Sequence, residues 1–181
     1  MTVEKPPFEG LLIITPTVYT DDRGYFFESW NQVAASPWGL PVNFAQDNES
    51  LSKKGVLRGL HFQTPPFEQG KLVRVIAGAV LDVVVDLRKN QETYGQHYKL
   101  ELSQTNKKML YIPPGFAHGF VSLEDQTIFV YKCTQVYNRE CDRSIRYNDP
   151  ILAIDWEINN PILSEKDRTA PLFSQFQTPF E

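Results

Sequence analysis

Apolar residues in this chain fall in short runs, several of them alternating with polar ones. The runs cover 10–14, 24–30, 44–50, 56–63, 71–76, 79–87, 97–102, 107–112, 118–123 and 127–136. Turn formers separate them: Asp21-Asp22-Arg23-Gly24, Lys53-Lys54-Gly55, Thr64-Pro65-Pro66, Ala77-Gly78, Pro113-Pro114-Gly115 and Glu124-Asp125. Short runs at this spacing predict the strands of an antiparallel sandwich or barrel. Helix is expected only in short pieces, over 32–38 before Pro41 and over 164–168 near the C-terminus.

Proline placement sharpens the pattern. None lies between Pro66 and Pro113, or between Pro114 and Pro150. Proline lacks the N–H that a central strand donates to its neighbour, so these two stretches are expected to hold the sheet centres. In the run 79–87, Leu81, Val83, Val85 and Leu87 share one face, and Asp82, Val84, Asp86 and Arg88 the other. A face with two carboxylates lines either a cavity or solvent, and solvent is the expectation from this strand alone.

Length and charge then narrow the class. The 181 residues suit one domain spanning 1–181, long enough to bury a core without a metal or disulfide staple. The net charge of −4 argues against a nucleic-acid-coating surface, although it leaves room for a local cationic pocket. Cys133 and Cys141 are expected as free thiols of a reducing cytosol. No apolar run approaches the ~20 residues that span a bilayer, and the polar, Pro-containing start does not read as a signal peptide. A cytoplasmic protein without membrane or nucleic-acid partners is expected.

One strand departs from core chemistry. Val56-Leu57-Arg58-Gly59-Leu60-His61-Phe62-Gln63 carries an arginine and a histidine inside an apolar run, and Lys71 opens the next run. Three cationic or titratable groups suit a site that binds an anion and moves a proton. The histidines number three, and His61 and His118 sit in strand-like apolar contexts, whereas His97 reads as a surface residue at a strand entrance. Two imidazoles with no companion His or nearby Glu make a poor metal shell, so no metal is expected.

Acid–base chemistry uses the same residues better. A neutral imidazole accepts a proton near pH 7, and does so best when a carboxylate orients its other nitrogen. Asp167 is a candidate for that carboxylate, although Ser164-x-x-Asp167 equally resembles a helix capping box. Tyr131 is a candidate acid or simply a core aromatic, and Lys71 a fixed cation for a developing oxyanion or a solvated side chain. Arg23, Arg58 and the amides of Gln46-Asp47-Asn48 suit a diphosphate with its base or sugar. Strict alternation puts Arg58 and His61 on opposite faces, so both reach one site only if the strand bulges, with Gly59 between them the natural place.

Nine landmarks in order then carry a resemblance. They are Asp22-Arg23-Gly24-Tyr25-Phe26-Phe27-Glu28, Gln46-Asp47-Asn48, Gly55-Val56-Leu57-Arg58-Gly59-Leu60-His61 and Gly70-Lys71-Leu72-Val73, with the Asp82-to-Arg88 strand. Ile112-Pro113-Pro114-Gly115-Phe116-Ala117-His118-Gly119-Phe120, Tyr131-Lys132, Asn148-Asp149-Pro150 and Leu163-Ser164-Glu165-Lys166-Asp167 complete them. Over nearly its whole length the chain resembles the dTDP-4-dehydrorhamnose 3,5-epimerases, a metal-free branch of the cupins. The resemblance implies an all-β cupin jelly roll with a few short helices, mainly near the C-terminus. It implies an isomerase without cofactor, acting on a dTDP-sugar in dTDP-rhamnose and cell-surface polysaccharide biosynthesis.

The same resemblance assigns roles. His61 is implied as base with Asp167, Tyr131 as acid, and Lys71 as the group near the ketone. Arg23, Phe26, Glu28, Gln46, Asn48 and Arg58 are implied at the nucleotide, His118 near the sugar or phosphates, and Tyr137 at the base, since Val136 stands where relatives often carry an aromatic. A homodimer is implied, with the segment around Phe26 reaching the partner's site. The implied reaction converts dTDP-4-keto-6-deoxy-D-glucose to dTDP-4-keto-L-rhamnose by epimerisation at C3 and C5. The rivals are a C3-only or C5-only epimerase, a metal-dependent cupin, and a non-catalytic sugar-nucleotide binding module.

Overall fold

The structure is a computed structural model that describes residues 1–40 and 43–181. Its strands in chain order begin with β1 (Thr2–Glu4), β2 (Leu12–Thr15), β3 (Tyr19–Asp21) and β4 (Gly24–Phe26). Next come β5 (Gln46–Ser52), β6 (Leu57–Gln63), β7 (Lys71–Ala77), β8 (Ala79–Asp86) and β9 (His97–Ser103). The last are β10 (Met109–Ile112), β11 (Phe116–Ser122), β12 (Thr127–Cys133) and β13 (Asp142–Ser144). Helix is confined to short turns, α1 (Gln32–Ala35) with the 3-10 turn Ser36–Trp38, and α2 (Glu165–Arg168) with the 3-10 turn Phe173–Gln175. The short helical pieces thus divide evenly between the segment before β5 and the C-terminal region.

Two antiparallel sheets form the body, in the orders β1-β2-β10-β7-β12-β5 and β13-β6-β11-β8-β9, and β3 pairs with β4 as a separate hairpin. The proline-free stretches do supply the central strands: β7 and β10 in the larger sheet, β8 and β11 in the smaller. The run 24–30 yields only three strand residues, because the chain folds back through Asp22-Arg23 and pairs β4 with β3. The run 107–112 starts late, at Met109, because Lys107 takes a positive φ of 55° in the turn that Asn106 ties to Ser103.

Three layers of apolar side chains explain why so many runs are apolar on both faces. Ile13, Val73, Leu110 and Phe129 from the larger sheet meet Val80, Val84, Leu102 and Phe120 from the smaller, filling the space between the sheets. Leu60, Phe62, Leu81, Val83 and Val85 point the other way, where Ile145, Leu152, Trp156, Phe173 and Phe180 of the C-terminal segment cover them. Leu12, Ile14, Leu72 and Met109 on the outside of the larger sheet are covered by Ala35 and Leu40, with Trp30 packed alongside. Every residue of β8 is consequently buried. The expectation of a solvated Asp82–Asp86 face is therefore corrected: that face is interior, and Val84 belongs to the core between the sheets.

Candidate active site

The bulge anticipated at Gly59 is present. Along the β6–β11 pairing, His61 lies opposite His118 and Arg58 opposite Phe120, so Gly59 and Leu60 together face Gly119 alone. The extra residue resets the alternation. Leu57, Leu60 and Phe62 all reach the outer core cluster, while Arg58 and His61 both line the interior cavity. Only glycine fits there, because Gly59 has a φ of 142° and a Cβ on it would meet the Gly119 Cα at 2.5 Å.

The cavity, about 380 Å³, opens at one end of the space between the sheets. Arg58 and His61 of β6 and His118 of β11 come from the smaller sheet; Ser50 of β5, Lys71 of β7 and Tyr131 of β12 come from the larger. Asp167 closes the rim. Its segment is fastened by a parallel bridge between Val56 and Ile162 and by backbone hydrogen bonds of Ile162 with Gly55 and Leu57. A carboxylate 106 residues away in sequence thereby meets His61, whose Nε2 donates to Asp167 Oδ1 at 2.5 Å. The two expectations for Asp167 prove compatible. Ser164 Oγ accepts the Asp167 N–H as helix cap at 3.1 Å, and its hydroxyl donates to Asp167 Oδ2 at 2.8 Å. Burial pushes the Asp167 carboxyl up, but the hydrogen bond and charge of His61, with Ser164 and Lys166, outweigh it and hold the carboxyl below its ordinary range.

With Nε2 committed to Asp167, His61 keeps Nδ1 as its free nitrogen. Lys71 Nζ stands 6.0 Å from the centre of the Tyr131 ring. Burial lowers the Lys71 ammonium below an ordinary lysine and raises the Tyr131 phenol above an ordinary tyrosine. Arg58 Nε donates to Ser52 Oγ at 3.2 Å and its Nη2 to the Leu51 carbonyl at 3.2 Å, which spans the two sheets at the mouth and fixes the guanidinium.

His118 has a dyad of its own, which the parity of β8 did not suggest. Its Nε2 donates to Asp82 Oδ2 at 2.8 Å, and Asp82 is fully buried. Asp82 Oδ1 has no hydrogen-bond partner among the described residues, and the Asp82 charge acts on Lys71. The signal was the carboxylate itself in a valine strand; its partner became visible only through the β8–β11 register. Among the described residues no group of three or more His, Cys, Asp or Glu is placed to hold a metal.

His61, Lys71 and Tyr131 also line a second hollow of about 270 Å³, with Gln46, Asn48 and Tyr137. There Gln46 Nε2 donates to Asn48 Oδ1 at 2.9 Å, and Gln46 Oε1 accepts the Tyr137 N–H at 2.7 Å. Asp142 and Lys166, paired at 2.5 Å, belong to the same wall. Lys166 was not singled out from sequence.

Three expected residues stand apart. Arg23 and Phe26 lie on the β3–β4 hairpin, with the Arg23 side chain 89% exposed and Phe26 66% exposed. Glu28 lines a hollow outside the larger sheet, near Trp30 and Met109. None of the three lines the cavity of its own chain.

A histidine–carboxylate pair and a phenol on facing sheets, with an ammonium beside the phenol, is an arrangement that can move protons on and off an acidic carbon. A family model described as dTDP-4-dehydrorhamnose 3,5-epimerase matches residues 5–175. The dTDP-4-dehydrorhamnose 3,5-epimerase of Methanothermobacter thermautotrophicus is 52% identical over 167 residues, covering 91% of this chain and 90% of that one. Among solved structures, the enzyme of that name from Elizabethkingia anophelis superposes with a TM-score of 0.91 at 49% identity, over 96% of this chain and 97% of that one. A Legionella pneumophila 3,5-epimerase in complex with dTDP-4-keto-L-rhamnose superposes with a TM-score of 0.92 at 45% identity, over 97% and 94%. The chain belongs to the dTDP-4-dehydrorhamnose 3,5-epimerase family, carbohydrate epimerases with a cupin-type jelly roll.

Proposed function

We propose that this chain epimerises C3 and C5 of dTDP-4-keto-6-deoxy-D-glucose, giving dTDP-4-keto-L-rhamnose. The observation that carries the reading is the opposition of base and acid across one cavity. His61 sits on the smaller sheet and Tyr131 on the larger, and both line the same space. Inversion at carbon requires a proton to leave by one face and return by the other. A flat enolate held between the two sheets meets that condition.

In this reading the C4 ketone acidifies the protons at C3 and C5, because each carbanion is an enolate. His61 Nδ1 takes the proton, and Asp167 fixes the tautomer and stabilises the imidazolium. Lys71 lines the same cavity and neutralises the enolate oxygen as a fixed cation. Tyr131, its phenol raised by burial, keeps its proton until it delivers it to the opposite face. Solvent then takes the proton from His61 and returns one to Tyr131, and after ring reorientation a second cycle treats the other carbon. Arg58, with His118 held by Asp82, binds the diphosphate and sugar, and Gln46, Asn48 and Tyr137 extend the site towards the nucleotide.

The exposed hairpin supports a homodimer in which Arg23, Phe26 and Glu28 complete the partner's site. Phe26, Tyr19 and Tyr25 are apolar groups with no cover from their own chain's core, as a segment that seats elsewhere requires. The facing sheets share one apolar core, which supports a single domain over 1–181. Among the described residues no helix is long and apolar enough to cross a membrane. Two free thiols, Cys133 and Cys141, fit a reducing compartment and support a cytoplasmic location.

The test is incubation with dTDP-4-keto-6-deoxy-D-glucose in deuterated water, followed by NMR. Wash-in is expected at C3 and C5, and His61→Ala should abolish both. Wash-in at a single carbon would replace this reading with a single-site epimerase; none at either carbon would overturn it.

A further inference from the structure

The inner face of β5 is unusual for the inside of a barrel. By alternation Gln46, Asn48, Ser50 and Ser52 all point inward, where an apolar strand is the rule. Three of the four have side-chain partners. Gln46 and Asn48 bond to one another, and Ser52 accepts from Arg58. Among the described residues Ser50 has none: its Oγ is buried and unpaired, and the residue lines the cavity that holds Arg58, His61 and His118.

The described residues around it supply no partner. Phe129 is its cross-strand neighbour on β12, and Phe129 stacks on Phe120 at 4.2 Å. A buried hydroxyl against aromatic carbon is an unfavourable arrangement for a residue that serves only the fold, and alanine would fill the same space without it. The residue lines the cavity although its Oγ is covered, and a turn about the Cα–Cβ bond brings the unspent hydroxyl to that space. Next to it along the strand, about 6.5 Å away at the usual strand rise, Ser52 holds the Arg58 guanidinium, a fork suited to phosphoryl oxygens.

We propose that Ser50 is a substrate-binding residue whose hydroxyl donates to a phosphoryl oxygen of the nucleotide diphosphate seated on Arg58. The assignment rests on the epimerase reading, and it deepens it. Arg58 supplies charge from the rim; Ser50 supplies a directed donor from within the wall and so sets how deep the phosphoryl group sits. The sugar carbons are thereby registered against His61 and Tyr131.

The experiment compares wild type with Ser50→Ala for binding of dTDP and of thymidine by calorimetry, alongside KM, kcat and melting temperature. A hydrogen bond to a charged group is worth roughly a tenfold or greater change in affinity. Ser50→Ala is expected to weaken dTDP about tenfold, raise KM similarly, and leave thymidine binding unchanged. Its melting temperature should stay level or rise, since an unpaired buried hydroxyl is removed. Unchanged dTDP affinity in an active enzyme, equal loss for thymidine, or a clear fall in melting temperature would each overturn the Ser50 assignment alone. A wild type that neither binds dTDP nor exchanges deuterium would overturn the epimerase reading and the assignment with it.

Discussion

Replacing Gly59 with alanine tests the joint on which the site depends. The new Cβ would lie 2.5 Å from the Gly119 Cα and 3.1 Å from the His118 carbonyl oxygen, both backbone atoms that cannot swing aside. Forcing a methyl into a packed place costs about 1–3 kcal/mol. The φ of 142° adds about 1–2 kcal/mol for a residue that has a side chain. The sum, about 2–5 kcal/mol, lowers the melting temperature of a chain this long by about 4–20 °C. Relief comes only by moving β6 from β11, which displaces Arg58 and His61 together; a shift of about 1 Å costs roughly a hundredfold in rate. Gly39→Ala is the control, since Gly39 has a positive φ of 73° but nothing among the described residues within 4 Å of its Cβ position. It should show only the backbone cost, about 1–2 kcal/mol, with activity intact. Scanning calorimetry and the deuterium assay read both variants. A Gly59→Ala protein that melts within about 2 °C of wild type and keeps its rate would refute the reasoning.

Asp167→Asn should lower kcat by about a hundredfold or more with little change in dTDP affinity, because the amide cannot stabilise the imidazolium. The folded Asp167 carboxyl lies below its ordinary range, so its pairing stabilises the fold above the usual aspartate pKa and is lost as pH falls through the lowered value. Denaturant titrations below about pH 4 should therefore show a flatter acid decline for Asp167→Asn, and parallel curves would contradict the pairing. Burial lowers Lys71, so the alkaline limb of kcat should track loss of its charge rather than ionisation of Tyr131, whose phenol burial raises. In Lys71→Arg the charge persists, and the limb should move to higher pH even if the rate is lower; an unmoved limb would remove Lys71 from that role. Mixing inactive Arg23→Ala and His61→Ala chains should restore up to about a quarter of wild-type activity if the hairpin completes the partner's site, and none if each chain serves itself.

Much of this molecule is written in local order along the chain. Period-two runs, turn residues and proline spacing predicted most strands, since strand pairing needs only alternation and free N–H groups. Arg58, His61 and Gly59 already implied the bulge, because two site residues three apart cannot share a face of a regular strand. Other features had no local signature. Asp82 looked solvent-facing because alternation distinguishes two faces without saying what covers either one; the opposing sheet made that face interior. Asp167 was ambiguous between helix cap and partner of His61, and only the Val56–Ile162 bridge, which brings its segment to His61, lets one carboxylate make both contacts. The hairpin residues Arg23 and Phe26 carry the family motif, yet their own chain leaves them outside the cavity. Sequence alone determined the strand pattern and the place of the bend, and it supplied the candidates for proton transfer. Register and sheet packing decided which carboxylate meets which histidine and which hydroxyl is left unpaired, because those depend on contacts between residues distant in the chain.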